Sequence, residues 1–377
     1  MIMDVLTPDR ITVQLQDWLA GQKPQWRQIH VRPLDVTLGA GFSADIFFVE
    51  VDYVDEAGPQ AQTLVVRRQP MDLEVVFGSS LALQGKMMAA LDARGDLPVP
   101  PWIGMHLDPE ILGLPFLVMG KVAGECAKQT PNYNLEGWLV DMAPEQRRAA
   151  FTNAISAFAS LASIDWRDGF EFLAQPENGE PGLDQYVGAL EAWHKAAGRG
   201  RAMPIVDTAM AYVRANMPQD AAVNVLWGDP TPSNVMFAPD GRVNALIDWE
   251  LAALGPAELD LAWWLYFDDL FGRRFGITRL EGLPSKQETI AIWEETTRQT
   301  ARNLEYYDIV VALRMALVAI GAFDRQVGIG NIPETNKSLN DNFMTLYLAE
   351  RLGLPIPELG PDFVAFMKNL TPVEDKA

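Results

Sequence analysis

The stretch Trp227-Gly228-Asp229-Pro230-Thr231-Pro232-Ser233-Asn234-Val235-Met236-Phe237, continued by Ala245-Leu246-Ile247-Asp248-Trp249-Glu250, decides the reading of this chain. Short β-like runs at 223–227 and 243–247 flank a loop crowded with polar side chains. Asp229, Asn234 and Asp248 fall at the strand ends and on that loop. Phosphoryl transfer needs such a set: one carboxylate aligns the attacking hydroxyl and accepts its proton, and oxygen ligands hold magnesium ions that bridge the phosphates. An amide and a carboxylate suffice for magnesium, because water and phosphate complete its octahedral shell. Asp and Asn also build turns. Spacing alone therefore leaves a catalytic loop and a plain turn both open.

N-terminal to this stretch the texture is β-rich. The run Ile46-Phe47-Phe48-Val49-Glu50-Val51, a turn at Asp55-Glu56-Ala57-Gly58-Pro59 and the run Thr63-Leu64-Val65-Val66-Arg67 predict a hairpin. Before it, Gly39-Ala40-Gly41-Phe42-Ser43-Ala44 matches GxGxx[GA]. A dinucleotide-binding fold needs a helix after such glycines. The alternation at 46–51 predicts a strand instead, which fits a phosphate flap between two strands or a simple turn with glycine at positive φ. Helical spacing marks 10–20 and 79–94, the latter stopped by Leu97-Pro98-Val99-Pro100-Pro101. A further β segment, Phe116–Met119, precedes a linker near 119–124. Beyond it, 144–164, 183–196, 204–215, 286–303 and 306–326 read as helices.

The chain has 377 residues, with 30 Lys plus Arg against 50 Asp plus Glu, a net charge of −20. That length suits two domains or one bilobal domain. An acidic chain without a basic run is not expected to bind nucleic acid. One cysteine, Cys126, excludes an internal disulfide framework and a cysteine-cluster zinc site. The apolar run Ile309–Phe323 is shorter than a bilayer span, contains Arg314, and reads as a buried helix, so no membrane partner is expected. No GxxxxGK[ST] or GxSxG occurs. A cytoplasmic location is the default expectation; the sequence leaves monomer and homodimer both open.

Residues 227–260 resemble the HGDxxxxN…IDWE…GxxxxDLA signature of the aminoglycoside phosphotransferase and choline kinase-like family. The nearest branch resembles the kinase-like N-terminal domain of acyl-CoA dehydrogenase family members ten and eleven. The resemblance extends from the Gly39 loop to the helix at 306–326. It implies an α+β, bilobal protein-kinase-like fold: a helix over 1–25, a small β-rich N-lobe over 26–120, a larger, mainly helical C-lobe over 121–370, and a solvated tail at 371–377. It implies ATP or GTP between the lobes, with Mg²⁺, and transfer of a phosphoryl group to a hydroxyl of a small molecule, such as a hydroxyacyl compound or an aminoglycoside-like one.

By residue, the resemblance makes Asp229 the catalytic base and Asn234 and Asp248 the magnesium ligands. It makes Arg67 the strand cation on the phosphates, Gly39, Gly41 and Ser43 the flap, and Met119 to Lys121 the hinge whose backbone meets adenine. Asp260 becomes a structural hydrogen-bond acceptor. Three departures stand out: Trp227 replaces an architectural histidine, Arg67 replaces lysine, and Gln84 stands where a helix glutamate would pair with that cation. Glu74 is the one substitute carboxylate in view. These departures keep a second reading open, a pseudokinase that binds nucleotide or metabolite without transfer. Glu250 reads equally as acceptor-facing or as a solvated carboxylate. His106 and His194 are expected as hydrogen-bonded scaffold, Cys126 as a packing residue, and the tryptophans mostly as core.

Overall fold

A computed structural model describes residues 8–33, 39–40, 45–69 and 80–360. Gly41, Ser43, Glu74 and the tail at 371–377 lie outside the described residues. The chain divides into two compact units: Met1–Glu74 with Gly78–Ala123, and Val75–Phe77 with Gly124–Ala377.

The first unit contains α1 (Pro8–Gln22), β1 (Arg27–Pro33), β2 (Gly39–Ala40), β3 (Asp45–Asp55), β4 (Gly58–Arg68), α2 (Leu81–Arg94), β5 (Trp102–His106) and β6 (Phe116–Gly120). Its antiparallel sheet runs β1-β3-β4-β6-β5, with β2 on β3. The expected hairpin is β3–β4, closed at Asp55 opposite Gly58. A strand, not a helix, follows the glycine segment, so the dinucleotide-fold reading falls. Alternation sorts β4: Leu64 and Val66 are fully buried in a core with Phe47, Val118 and α1 residues Leu15 and Leu19, and Arg67 takes the opposite parity. Arg68 shares the core-side parity, with its guanidinium 5.7 Å over Phe47 and Nη1 donating to the Leu112 carbonyl. β5 was not anticipated, because glycine interrupts its run Trp-Ile-Gly-Met-His.

The second unit contains α3 (Trp138–Asp141), α4 (Pro144–Ala159), α5 (Leu183–Gly198), α6 (Pro204–Ala215), β7 (Asn224–Leu226), β8 (Val235–Phe237), β9 (Val243–Leu246), β10 (Ala253–Gly255), α7 (Glu258–Phe271), α8 (Lys286–Thr297), α9 (Leu304–Gly328) and α10 (Phe343–Leu352). The two β-like runs foreseen at 223–227 and 243–247 exist as β7 and β9 but pair with other strands. β7 pairs with β10 and β8 with β9, two small antiparallel ribbons. The helix foreseen to 303 stops at Thr297, where Arg298 turns left-handed (φ 57°) and donates its N–H to Glu294. α9 is 25 residues long, so by length and composition it could cross a membrane, unlike the shorter run read from sequence. Its apolar residues Val310, Leu313 and Leu317 are instead fully buried in one cluster with residues of α5, α6, α7 and α10.

Candidate active site

β7 delivers the chain to Trp227 and then to a sharp bend at Gly228. Gly228 has φ +86°, and a Cβ there would lie 1.9 Å from the Leu251 carbonyl oxygen, so only glycine fits. The bend is held from α7. Asp260, 4% exposed in the first turn of that helix, accepts the backbone N–H of Trp227 at 2.8 Å and of Gly228 at 3.0 Å. Burial pushes the Asp260 carboxyl up to about 7, against the pull of those two N–H groups and of Arg314, with Asp229 adding to the rise. Asp260 thus positions the loop rather than its own helix.

Asp229 follows, half-buried, with a donor on each carboxylate oxygen. The Trp263 indole donates to Oδ1 at 2.7 Å, and Asn234 Nδ2 donates to Oδ2 at 2.7 Å. Burial first, and the Asp248 charge second, push Asp229 up to about 6, while Arg314 and the two donors pull it down. Asn234 also donates to the Asp229 carbonyl. Its amide nitrogen is committed, which leaves Oδ1 as the atom able to ligate a cation.

Asp248 is set by its neighbours. The Ile247 N–H donates to the Asn234 carbonyl at 2.9 Å, and the Ile247 carbonyl accepts from the Trp227 indole at 2.9 Å. Asp248 itself sits at φ 62°, a left-handed conformation that Asp tolerates better than most residues and that clusters at functional sites. Trp227 is fully buried against Trp249, ring centres 5.6 Å apart. In this chain the indole that replaces histidine still ties the loop to the strand end carrying Asp248.

The structure therefore brings Asp229, Asn234 and Asp248 together in the second unit. The remaining expected site residues belong to the first unit. Gly39 lies in β2, paired with Ile46. Arg67 is 6% exposed on β4. Gln84 is buried on α2 at 1% exposure, and its Oε1 has no hydrogen-bond partner among the described residues, so it accepts nothing from Arg67. Met119 lies in β6 between β4 and β5. The N–H of Gly120 donates to Pro101 and that of Lys121 to Thr63. Those two hinge donors are used within the sheet and are not open to a base. Glu250 is half-buried.

Other expectations divide. His194 makes its hydrogen bond, 2.7 Å to Asp207. The buried Nε2 of His106 has no hydrogen-bond partner among the described residues. Cys126 packs against Met236, and burial pushes its thiol up to about 11. Trp193, Trp263 and Trp264 are core, while Trp138 lines a cavity of ≈ 170 Å³. The sequence reading missed Arg314 and the polar role of Trp263. Arg314 is 6% exposed on α9; its Nη1 donates to the Gly228 carbonyl at 2.7 Å and the Tyr186 hydroxyl at 3.1 Å, and its guanidinium lies 4.1 Å over the Trp263 ring. A lone arginine in the most apolar run of the chain was the available signal, since a buried charge requires partners.

The donor set fits magnesium. Among the described residues no group of three or more His, Cys, Asp or Glu forms a cation cage, and magnesium needs none: it takes one or two protein oxygens and fills its shell with water and phosphate. The mutual repulsion of Asp229 and Asp248 is what a divalent cation on the Asn234 and Asp248 oxygens would relieve.

A family model described as the phosphotransferase enzyme family matches residues 36–294. Acyl-CoA dehydrogenase family member 11 of Rattus norvegicus is 25% identical over 95% of this chain and 44% of its own length. The chain spans less than half the length of such curated relatives. A candidate aminoglycoside phosphotransferase from Ralstonia eutropha JMP134 superimposes with a TM-score of 0.65 at 21% identity, covering 90% of this chain and 98% of that one. A thermostable mutant of aminoglycoside phosphotransferase APH(4)-Ia, in complex with ADP and hygromycin B, gives 0.52 at 13% identity, covering 90% and 98%. These two show the fold.

Proposed function

The chain belongs to the phosphotransferase enzyme family, and on that premise we propose that it transfers the terminal phosphoryl group of ATP to a hydroxyl of a small molecule. The observation that carries the reading is the carboxylate of Asp229, held through both oxygens by Trp263 and Asn234 beside Asp248. Asp229 orients the acceptor hydroxyl and takes its proton, a role worth about 10²–10⁴-fold for an ordinary general base. Asn234 and Asp248 hold magnesium, which when bound neutralises charge on the transferring phosphates. The resemblance gives Arg67 the nucleotide phosphates as ligands, and its planar fork suits two phosphate oxygens at once. ADP bound to APH(4)-Ia supports an adenine nucleotide. The hygromycin B of that complex and the acyl-CoA dehydrogenase relatives support a small-molecule acceptor.

Calorimetric titration of MgATP tests the reading. Wild type should bind, Asp248→Ala should lose magnesium-dependent binding, and Asp229→Asn should keep it while transfer falls by about 10²–10⁴-fold. Unchanged MgATP affinity in Asp248→Ala would count against the metal role. Binding without transfer to any alcohol would favour the pseudokinase reading.

A further inference from the structure

A carboxylate turns easily about its Cβ–Cγ bond, because a terminal torsion onto a planar group has broad wells. A base held by one donor would therefore swing. Asp229 has two donors, on different oxygens: Asn234 on Oδ2 and the Trp263 indole on Oδ1, each at 2.7 Å. A carboxylate offers about four lone-pair sites, so each oxygen keeps one for an incoming hydroxyl.

The indole is itself fixed. Trp263 is 3% exposed, and the Arg314 guanidinium covers its face at 4.1 Å. Arg314 in turn donates to the carbonyl of Gly228, the residue before Asp229, at 2.7 Å. The contacts close a ring: Asp229 to Trp263, Trp263 to Arg314, Arg314 to Gly228, and the backbone to Asp229 again. Its members come from the loop, α7 and α9, so the carboxylate is referenced to the two helices at the centre of the unit. A cation on the π-face also polarises the ring, which favours its N–H as a donor.

We infer that Trp263 is a positioning residue for phosphoryl transfer: its indole N–H sets the rotation of the Asp229 carboxylate, and Arg314 locks the indole in place. The inference rests on the reading of Asp229 as the base. A misplaced catalytic group can cost about 10²-fold in rate without touching ground-state binding.

Trp263→Phe removes the N–H while keeping an aromatic ring beneath Arg314. With MgATP as substrate and water as acceptor, phosphate release should fall about tenfold or more in kcat, with KM for MgATP within about twofold of wild type. The hydrogen bond has its own readout. The indole resonance lost in Trp263→Phe identifies the Trp263 N–H in a proton–nitrogen correlation spectrum, and both Asp229→Asn and Arg314→Lys should move it. Unchanged kcat in Trp263→Phe overturns the inference alone. So does an indole resonance indifferent to Asp229→Asn, or a loss of kcat matched by rising KM and a collapsed melting temperature, which would mark Trp263 as core only. A wild-type chain that transfers phosphate from MgATP neither to water nor to any alcohol overturns the phosphotransferase reading and the inference with it.

Discussion

Arg67 and Arg314 are equally buried, each 6% exposed, one in each compact unit, and their surroundings differ in kind. Arg314 is met by a carbonyl, a phenol and an indole face, and its charge offsets the half-buried Asp229 and the buried Asp260. Arg67 faces away from the sheet's apolar core, and the helix position matched to its ion-pair partner is a neutral Gln84 with an unmet oxygen. The first cation completes a polar network that the protein closes by itself. For the second, the resemblance assigns the nucleotide phosphates as the groups it grips. Equal burial therefore says little about role; the partners decide it.

The largest expected effect breaks the Arg314 side. Arg314→Met leaves Asp229 and Asp260 without their cation, and removing one partner of a buried ionic set costs about 3–5 kcal/mol. Urea unfolding should show that loss. Arg67→Met should cost less than half as much stability and should show chiefly as a raised KM for MgATP. Equal destabilisation by the two changes would erase the distinction.

Asp260 gives the next effect. Asp260→Asn replaces one acceptor oxygen with a donor that opposes a backbone N–H of the Trp227-Gly228 bend, at a cost of about 1–3 kcal/mol. The pH dependence has a definite sign. The folded carboxyl titrates near 7 and the unfolded one near ~4. Across that window the folded chain keeps a proton that the unfolded chain has lost. The contribution of Asp260 is thus fully present below about pH 4, falls as pH rises, and levels off above about 7. Arg314 and Asp229 are the charged groups facing it, and Arg314 limits the slope. The stability gap between wild type and Asp260→Asn should narrow from pH 5 to pH 8, at no more than ~1.4 kcal/mol per pH unit. A gap that stays flat from pH 5 to pH 8 would mean that Asp260 stays ionised throughout.

The sequence carried the sheet unit through its period-two runs, and the candidate site through the resemblance at 227–260, since both are local patterns. What it hid depends on long-range packing. β8 and β10 are three residues each, too short for a period, and exist because β9 and β7 pair with them. α7 escaped because Leu259 to Trp264 are buried in succession, which leaves no amphipathic stripe to detect. Arg314 sits 85 residues after Asp229, and only the packing of α9 beside the loop gives it a role.

The smallest effect sharpens the Arg67 side. Gln84→Glu changes one atom type in α2 and supplies the carboxylate that the resemblance expects. Gln84 lies at 1% exposure, so a new carboxylate there must find a cation or remain protonated. If Arg67 lies within reach, the pair forms, the guanidinium is held in one orientation, and preorganisation should lower KM for MgATP by about two- to tenfold, the range of ~0.5–1.5 kcal/mol for an immobilised long side chain. The melting temperature should stay within a few degrees of wild type. If Arg67 is out of reach, the glutamate is buried alone, the chain loses stability and KM does not fall. The first outcome would make Gln84 the reason for a loosely held phosphate cation. The second would show that α2 has given up its part in the site, with Arg67 relying on partners elsewhere.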